Sequence, residues 1–169
     1  MKEGAILVVG ASGVVGRAAL EHLASTGATV FGASRRPPDT DAGTHVPLDL
    51  TDAAATRTAL AALPPVTHVV YGALYEKPGL LEGWLAEDQM ETNRRMLEHC
   101  LDALEDHPVE HFSLLQGTKA YGAHVMRMRI PGREREPRVE HPNFYWLQED
   151  LLRERAAARA SPGPSGGRR

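Results

Sequence analysis

Short apolar runs alternate with helix-spaced segments along most of the chain. Ile6-Leu7-Val8-Val9 is the first run, and the segment after it keeps a helical pattern up to Ser25-Thr26-Gly27. Ala28 to Gly32 is a second, β-branched-rich run; His45 to Leu48 is a weaker third; Thr67 to Gly72 is a fourth; Val109 to Gln116 is a fifth. Each reads as a strand. Helices are expected over Ala53 to Leu63, broken by Pro64-Pro65, over Glu82 to Asp106, ended by Pro108, and from Asn143 onward. Asp52 or Thr51 suits the cap of the helix at Ala53, and Asn143 suits the cap of the last one. In the long helix Trp84, Met90, Asn93, Leu97, Cys100, Leu101 and Leu104 recur at three- and four-residue steps. Asn93 lies on that inward stripe. A buried asparagine needs partners, so it either holds neighbouring backbone or belongs to a polar relay. Strand and helix in alternation predict an α/β fold: an open parallel sheet of about five strands, order 3-2-1-4-5, with helices on both faces.

The connection after the first run is Gly10-Ala11-Ser12-Gly13-Val14-Val15-Gly16. Strand, glycine turn, helix is the context that a dinucleotide-binding loop requires. Gly10 allows a sharp turn, Gly13 a close approach of backbone to a diphosphate, and Gly16 close packing of helix on sheet. The N–H groups around Ser12, Val14 and Val15 open the helix, where its dipole favours a negative charge. A bare β–α turn is the alternative. After the second run come Ser34, Arg35 and Arg36, where an acidic residue would bind the ribose hydroxyls of NAD. Arginine there suits a 2′-phosphate and favours NADPH; a solvated loop pair is the plainer reading. Ala73 and Leu74 follow the fourth run, at the edge where a cofactor ribose would lie.

Composition narrows the class. The 169 residues suffice for one domain, expected over residues 1–160, and 42% are hydrophobic. A net charge of -3 offers no bulk field for nucleic acid or membrane surfaces. The single cysteine, Cys100, excludes an internal disulfide and suits a reducing, cytoplasmic setting. No apolar stretch approaches the ~20 residues of a membrane helix, and the start, Met1-Lys2-Glu3-Gly4, leaves no room for a signal peptide. His107 and His111 are separated by Pro108, and there is no thiolate cluster, so no metal site is expected. Residues 123–142 form a long Arg- and Pro-rich connection, and residues 161–169 a polar tail expected to be disordered.

The glycine spacing and two later motifs resemble short-chain dehydrogenases/reductases of the progesterone 5β-reductase/iridoid synthase-like group. The usual Tyr-x-x-x-Lys pair is missing: Val125 stands four after Tyr121, and Glu149 four after Tyr145. That group instead takes its lysine from a loop after the fifth strand and its tyrosine from the start of the next helix. Gln116-Gly117-Thr118-Lys119-Ala120-Tyr121-Gly122 is similar to the first motif, with one residue fewer after the glutamine. Asn143-Phe144-Tyr145-Trp146 followed by Glu149-Asp150 is similar to the second, with Trp146 for a tyrosine. The resemblance covers about residues 5–156. It implies a Rossmann-like fold and reduction by NADPH of a small-molecule enone or carbonyl. Tyr145 would serve the substrate oxygen, with Lys119 beside it to lower the phenol pKa. Asp49 and Leu50 would contact the adenine, and Gln116 would border the cofactor.

The resemblance also implies a longer chain, with a sixth strand and a substrate-covering lobe. A truncated reductase is the expectation, with an exposed sheet edge able to pair with another chain, such as a homodimer partner. Two alternatives stand: a nucleotide-sugar epimerase or dehydratase relative, which would want Tyr-x-x-x-Lys, and a cofactor-binding protein without turnover.

Overall fold

The computed structural model describes residues 4–78 and 86–160. β1 (Ala5–Val9), β2 (Val30–Ser34), β3 (Thr44–Pro47), β4 (Val66–Tyr71) and β5 (His111–Leu114) form one parallel sheet in the order β3-β2-β1-β4-β5. The helices are α1 (Val14–Ser25), α2 (Ala53–Ala61), α3 (Glu87–Ala103) and α4 (Phe144–Ala160), with a 3-10 turn at Thr118–Tyr121. The sheet order is the expected one.

Side-chain alternation explains why both faces are covered. Leu7, Val9, Val69 and Tyr71 point to the face carrying Leu60 of α2, Leu97 and Cys100 of α3, and Leu151 of α4. Val8 and Val30 point the other way, against Leu20 of α1. On β2, Gly32 faces that helix: a Cβ there would stand 2.9 Å from Leu20 Cδ2 and 3.0 Å from Ala11 Cβ. Its absence lets α1 sit close to the sheet.

Element ends differ from the sequence expectation where neighbours set them. β2 starts at Val30 and runs on to Ser34, because Ile6 pairs with Val30 and Ser34 pairs with Pro47. β5 is two residues shorter at each end than expected; it is an edge with one partner, β4. Pro47, unable to donate, is tolerated because β3 is the other edge. α2 stops at Ala61, since a residue before proline is steered away from helical geometry. Asp52 is its cap, accepting from Ala55 N–H at 2.9 Å. Within α3, Met90, Asn93, Leu97 and Cys100 are buried as the period predicts, and Gln89 and Met96 join them. Trp84 and the first residues of the expected helix lie outside the described residues, as does the tail at 161–169.

Cys100 has no exposed surface, and burial pushes its thiol up to about 12. A thiol that stays protonated is a poor nucleophile. Iodoacetamide at pH 8 is expected to leave the folded protein unmodified and to label Cys100 in urea, read by intact mass. Fast labelling of the folded chain would show that the α3–sheet interface opens.

Candidate functional site

The carboxyl ends of β1, β2, β3 and β4 open onto one cleft, the place where ligands bind in open α/β sheets. Gly10, Ser12 and Gly13 form one wall of it, Ser34 and Arg35 another, Asp49 and Leu50 a third, and Ala73 and Leu74 a fourth. Nine of the residues singled out from sequence are thus brought together. Thr51, Tyr75 and Met96 line the cleft as well, unforeseen.

The glycine turn is built by sterics. Gly10 has φ +87°, and a Cβ on it would meet Ala73 N at 2.7 Å. Gly16 allows the close approach that the sequence suggests, and what it meets is the turn that leaves β1. Its missing Cβ would fall 2.2 Å from Gly10 O, so the helix closes on the turn itself. Gly13 caps α1 in an extended conformation with no side-chain hydrogen bond, and the first turn carries no acidic residue. The first intrahelical bond runs from Arg17 N–H to Gly13 O. The N–H groups of Val14, Val15 and Gly16 precede it, as at any helix start. The side chains of Val14 and Val15 are exposed and do not line the cleft.

At the far wall, Ser34 is buried, and its hydroxyl donates to Arg36 O at 2.7 Å, fixing the turn rather than pointing at a ligand. Arg35 faces the cleft; Arg36 does not line it. The Asp49 carboxylate accepts from Thr51 N–H at 3.0 Å and from its hydroxyl at 2.8 Å. These bonds, with a smaller pull from Arg35, hold it below the usual carboxylate range against a modest desolvation cost.

Asn93 resolves to the first of its two readings. Its Oδ1 accepts from Tyr75 N–H at 2.9 Å, and its Nδ2 donates to Tyr75 O at 2.8 Å. It holds neighbouring backbone.

Lys119, Tyr145 and Gln116 lie beyond this cleft, around the 3-10 turn and the start of α4. Gln116 Nε2 donates to Tyr145 O at 2.9 Å, so it tethers the helix rather than lining the cleft. Asn143 Nδ2 donates to Lys119 O at 2.8 Å while its Oδ1 accepts from Tyr145 N–H at 3.0 Å. One asparagine therefore ties the lysine turn to the tyrosine helix. The Lys119 ammonium stands 3.8 Å from Glu76 Oε1. Burial lowers the Lys119 pKa, and Glu76 works against that shift. The phenol of Tyr145 lies over Gly117, whose Cβ position is 3.4 Å from it. Burial raises the Tyr145 pKa; a hydrogen bond from the Gly117 backbone opposes this, and the Glu76 charge adds to it. The sequence reading expected an ammonium to lower that pKa. Burial beside Phe144 reverses the direction, and the carboxylate of Glu76 adds to it. Glu76 was missed because it follows Tyr75 in a loop with no periodic signal.

Among the described residues no group of three or more His, Cys, Asp or Glu side chains is placed to hold a metal.

Residues 6–145 match the NAD dependent epimerase/dehydratase family. The chain belongs to that family. NAD(P) dependence is the family's, and its Rossmann-like sheet is the one described above. The chain is 31% identical to 3-oxo-Delta(4,5)-steroid 5-beta-reductase of Arabidopsis thaliana, over 89% of this chain and 41% of the relative. It is 29% identical to an (S)-8-oxocitronellyl enol synthase of Nepeta racemosa, over 94% of this chain and 44% of the relative. These are the kinds of protein that the lysine and tyrosine motifs resemble. The chain spans less than half the length of either relative. Among solved structures, a short-chain dehydrogenase/reductase superfamily protein of Agrobacterium tumefaciens with bound NAD is 25% identical with a TM-score of 0.67; 89% of this chain and 44% of that one are covered. UDP-glucose 4-epimerase of Brucella ovis, in complex with NAD, has a TM-score of 0.74 at 21% identity, over 92% of this chain and 48% of that one, and shares the fold.

Proposed function

We propose that this epimerase/dehydratase-family chain is an NADPH-dependent reductase of an activated C=C bond or a carbonyl. The observation that supports the reading is that Lys119 and Tyr145, from distant segments, share one neighbour, the Glu76 carboxylate, which stands 3.8 Å from the ammonium and helps raise the phenol pKa. The residues present suit a dinucleotide. Gly13 leaves the space in front of the α1 N-terminus open, and that end has neither a capping side chain nor an acidic residue. The diphosphate would be held there, the adenine by Asp49 and Leu50, and the adenosine 2′-phosphate by Arg35. Bound NADPH supplies the hydride. Tyr145 donates a hydrogen bond to the substrate oxygen, on which negative charge builds as the β-carbon of an enone is reduced. Lys119 holds the nicotinamide ribose and keeps a positive charge near the developing enolate.

The steroid reductase and the enol synthases among the relatives support this class over the epimerases, as does the absence of Tyr-x-x-x-Lys. The cleft encloses about 200 Å³, below the roughly 300–1,000 Å³ of a complete small-molecule site. It suits the adenosine half of a dinucleotide. The β5 edge suits pairing with a second copy, and light scattering would read such a homodimer.

Fluorescence titration with NADPH and NADH, followed by an enone reduction assay, tests the proposal. Tighter NADPH binding with turnover supports it. Binding without turnover selects a dinucleotide-binding protein that lacks reductase chemistry. Arg35→Ala is expected to weaken NADPH by about tenfold or more, given ~1.5–3 kcal/mol for a hydrogen bond to a charged group, and to leave NADH nearly unchanged. Equal losses for both cofactors would remove Arg35 from the 2′-phosphate.

A further inference from the structure

Glu76 sits in the loop between β4 and α3, and the backbone on both sides of it is pinned. Tyr75 is held through its N–H and its carbonyl by Asn93. Lys77 N–H donates to Gln89 Oε1 at 2.8 Å. Asn93 and Gln89 are both fully buried on α3. Buried amides bond whatever fixes them best, and here both are spent on the residues bracketing one carboxylate. The neighbouring Lys77 ammonium is taken up by Asp88 at the start of α3, and the Glu76 carboxylate stands 3.8 Å from the Lys119 ammonium.

The other half of the arrangement is fixed from α4. Asn143 holds the carbonyl of Lys119 and the N–H of Tyr145. Gln148 Nε2, a turn beyond Tyr145, donates to Asn93 O at 3.0 Å. The same α3 residue that pins Tyr75 thus anchors the tyrosine helix. Amide side chains fix the backbones of all three segments; what they do not fix is the four-carbon stem of Lys119.

We propose that Glu76 is a positioning residue of this site: its carboxylate, on a backbone clamped from α3, holds the Lys119 ammonium beside the Tyr145 phenol. This rests on reading Lys119 and Tyr145 as the reacting pair. A lysine ammonium is strongly hydrated and its stem is flexible. On a partly desolvated turn it swings toward water unless a counter-charge keeps it. Among the described residues, Lys119 is faced by Glu76 from the β4–α3 loop and by His124 from the segment after the 3-10 turn, with His141 packed edge-on against His124 at 4.8 Å between ring centroids, and Tyr145 of α4 feels the same Glu76 charge. Of these Glu76 alone brings a negative charge at neutral pH. The histidine pair and the phenol offer nothing to hold a cation by charge.

The test uses the full chain with Glu76→Gln and Glu76→Asp, each checked for native circular dichroism. Without cofactor, Lys119 is acetylated with acetic anhydride across a pH series, and its peptide is quantified by mass spectrometry. In E76Q the midpoint is expected to rise toward the ordinary lysine range, because the released ammonium becomes hydrated; E76D recovers part of the wild-type value. A midpoint that falls would mean that the lysine stays in its desolvated place unaided, and would overturn the proposal, as would no change. With enone and NADPH, E76Q is expected to lose on the order of tenfold to a hundredfold in kcat, with weaker NADPH binding as Lys119 leaves the ribose, and partial rescue of both by E76D. An unaltered kcat would also overturn it. A wild-type protein that reduces no enone sinks the reductase reading alone, and the acetylation result then decides Glu76 by itself.

Discussion

Tyr145→Phe is expected to remove enone turnover and to leave NADPH affinity nearly unchanged. The substitution deletes one oxygen. The ring keeps its place against Phe144, with centroids 4.6 Å apart, in a small cluster with Met90. The backbone keeps its ties as well: Tyr145 N–H to Asn143 Oδ1, and Tyr145 O from Gln116. What disappears is the donor that the proposed function assigns to the substrate oxygen. Losing a positioned acid of this kind costs roughly 10²–10⁴ in rate. The direction of the Tyr145 pKa adds a second readout. Burial and the Glu76 charge outweigh the Gly117 hydrogen bond, so the phenol stays protonated beyond its ordinary value near 10. Neutral tyrosine is the donor form. Turnover is therefore expected to be flat in this group through neutral pH and to fall only as pH climbs past that raised value. An alkaline limb below pH 10 would point to another group, and retained activity in the phenylalanine variant would remove Tyr145 from the site.

The elements around this tyrosine show what sequence can carry. Apolar runs and their alternation predict five strands and their order, because burial on two faces leaves a readable period. The glycine turn is legible for a related reason: a positive φ at Gly10, and backbone contacts under 3 Å at both Gly10 and Gly16, exclude every larger residue there. Lys119 and Tyr145 were legible as motifs, but their surroundings were not. Glu76 belongs to a loop whose position depends on two buried amides of α3, and nothing in the order Tyr75-Glu76-Lys77 announces that. Gln89, fully buried, stands one turn before Asn93 on the same face, a position the apolar stripe alone does not mark. Strand ends at β2 and β5 depend on the neighbouring strand, which local pattern does not contain. The sign of the Tyr145 shift depends first on how deeply α4 buries the phenol and only then on the Glu76 charge, and both are matters of tertiary placement.

The glycines of the turn are expected to separate cleanly into folding and binding roles. Gly16→Ala places a Cβ 2.2 Å from Gly10 O, 2.8 Å from Gly10 C and 3.0 Å from Ala11 Cα. All three are backbone atoms and none can rotate away. α1 must lift off the turn, which also loosens Leu20 from Val8 and Val30. Overpacking of this kind costs about 1–3 kcal/mol and more where backbone must move, a large share of the ~5–15 kcal/mol that holds a domain folded. Gly13→Ala is different. Gly13 sits at φ -80°, ψ 163°, which any residue adopts, and its Cβ would meet only Gly10 O, at 3.3 Å. Stability is expected to stay within about 1 kcal/mol, since the alanine also stiffens the unfolded chain. The new methyl group instead stands before the first N–H groups of α1, where the proposed reading puts the diphosphate. NADPH and NADH affinities are both expected to drop by at least about tenfold, roughly the 1.5–3 kcal/mol of one charged hydrogen bond lost. Urea melts and fluorescence titrations of the two variants read the two effects independently. A Gly13→Ala protein that binds NADPH as the parent does would move the diphosphate away from this turn, and with it the orientation of the whole cofactor along the sheet edge.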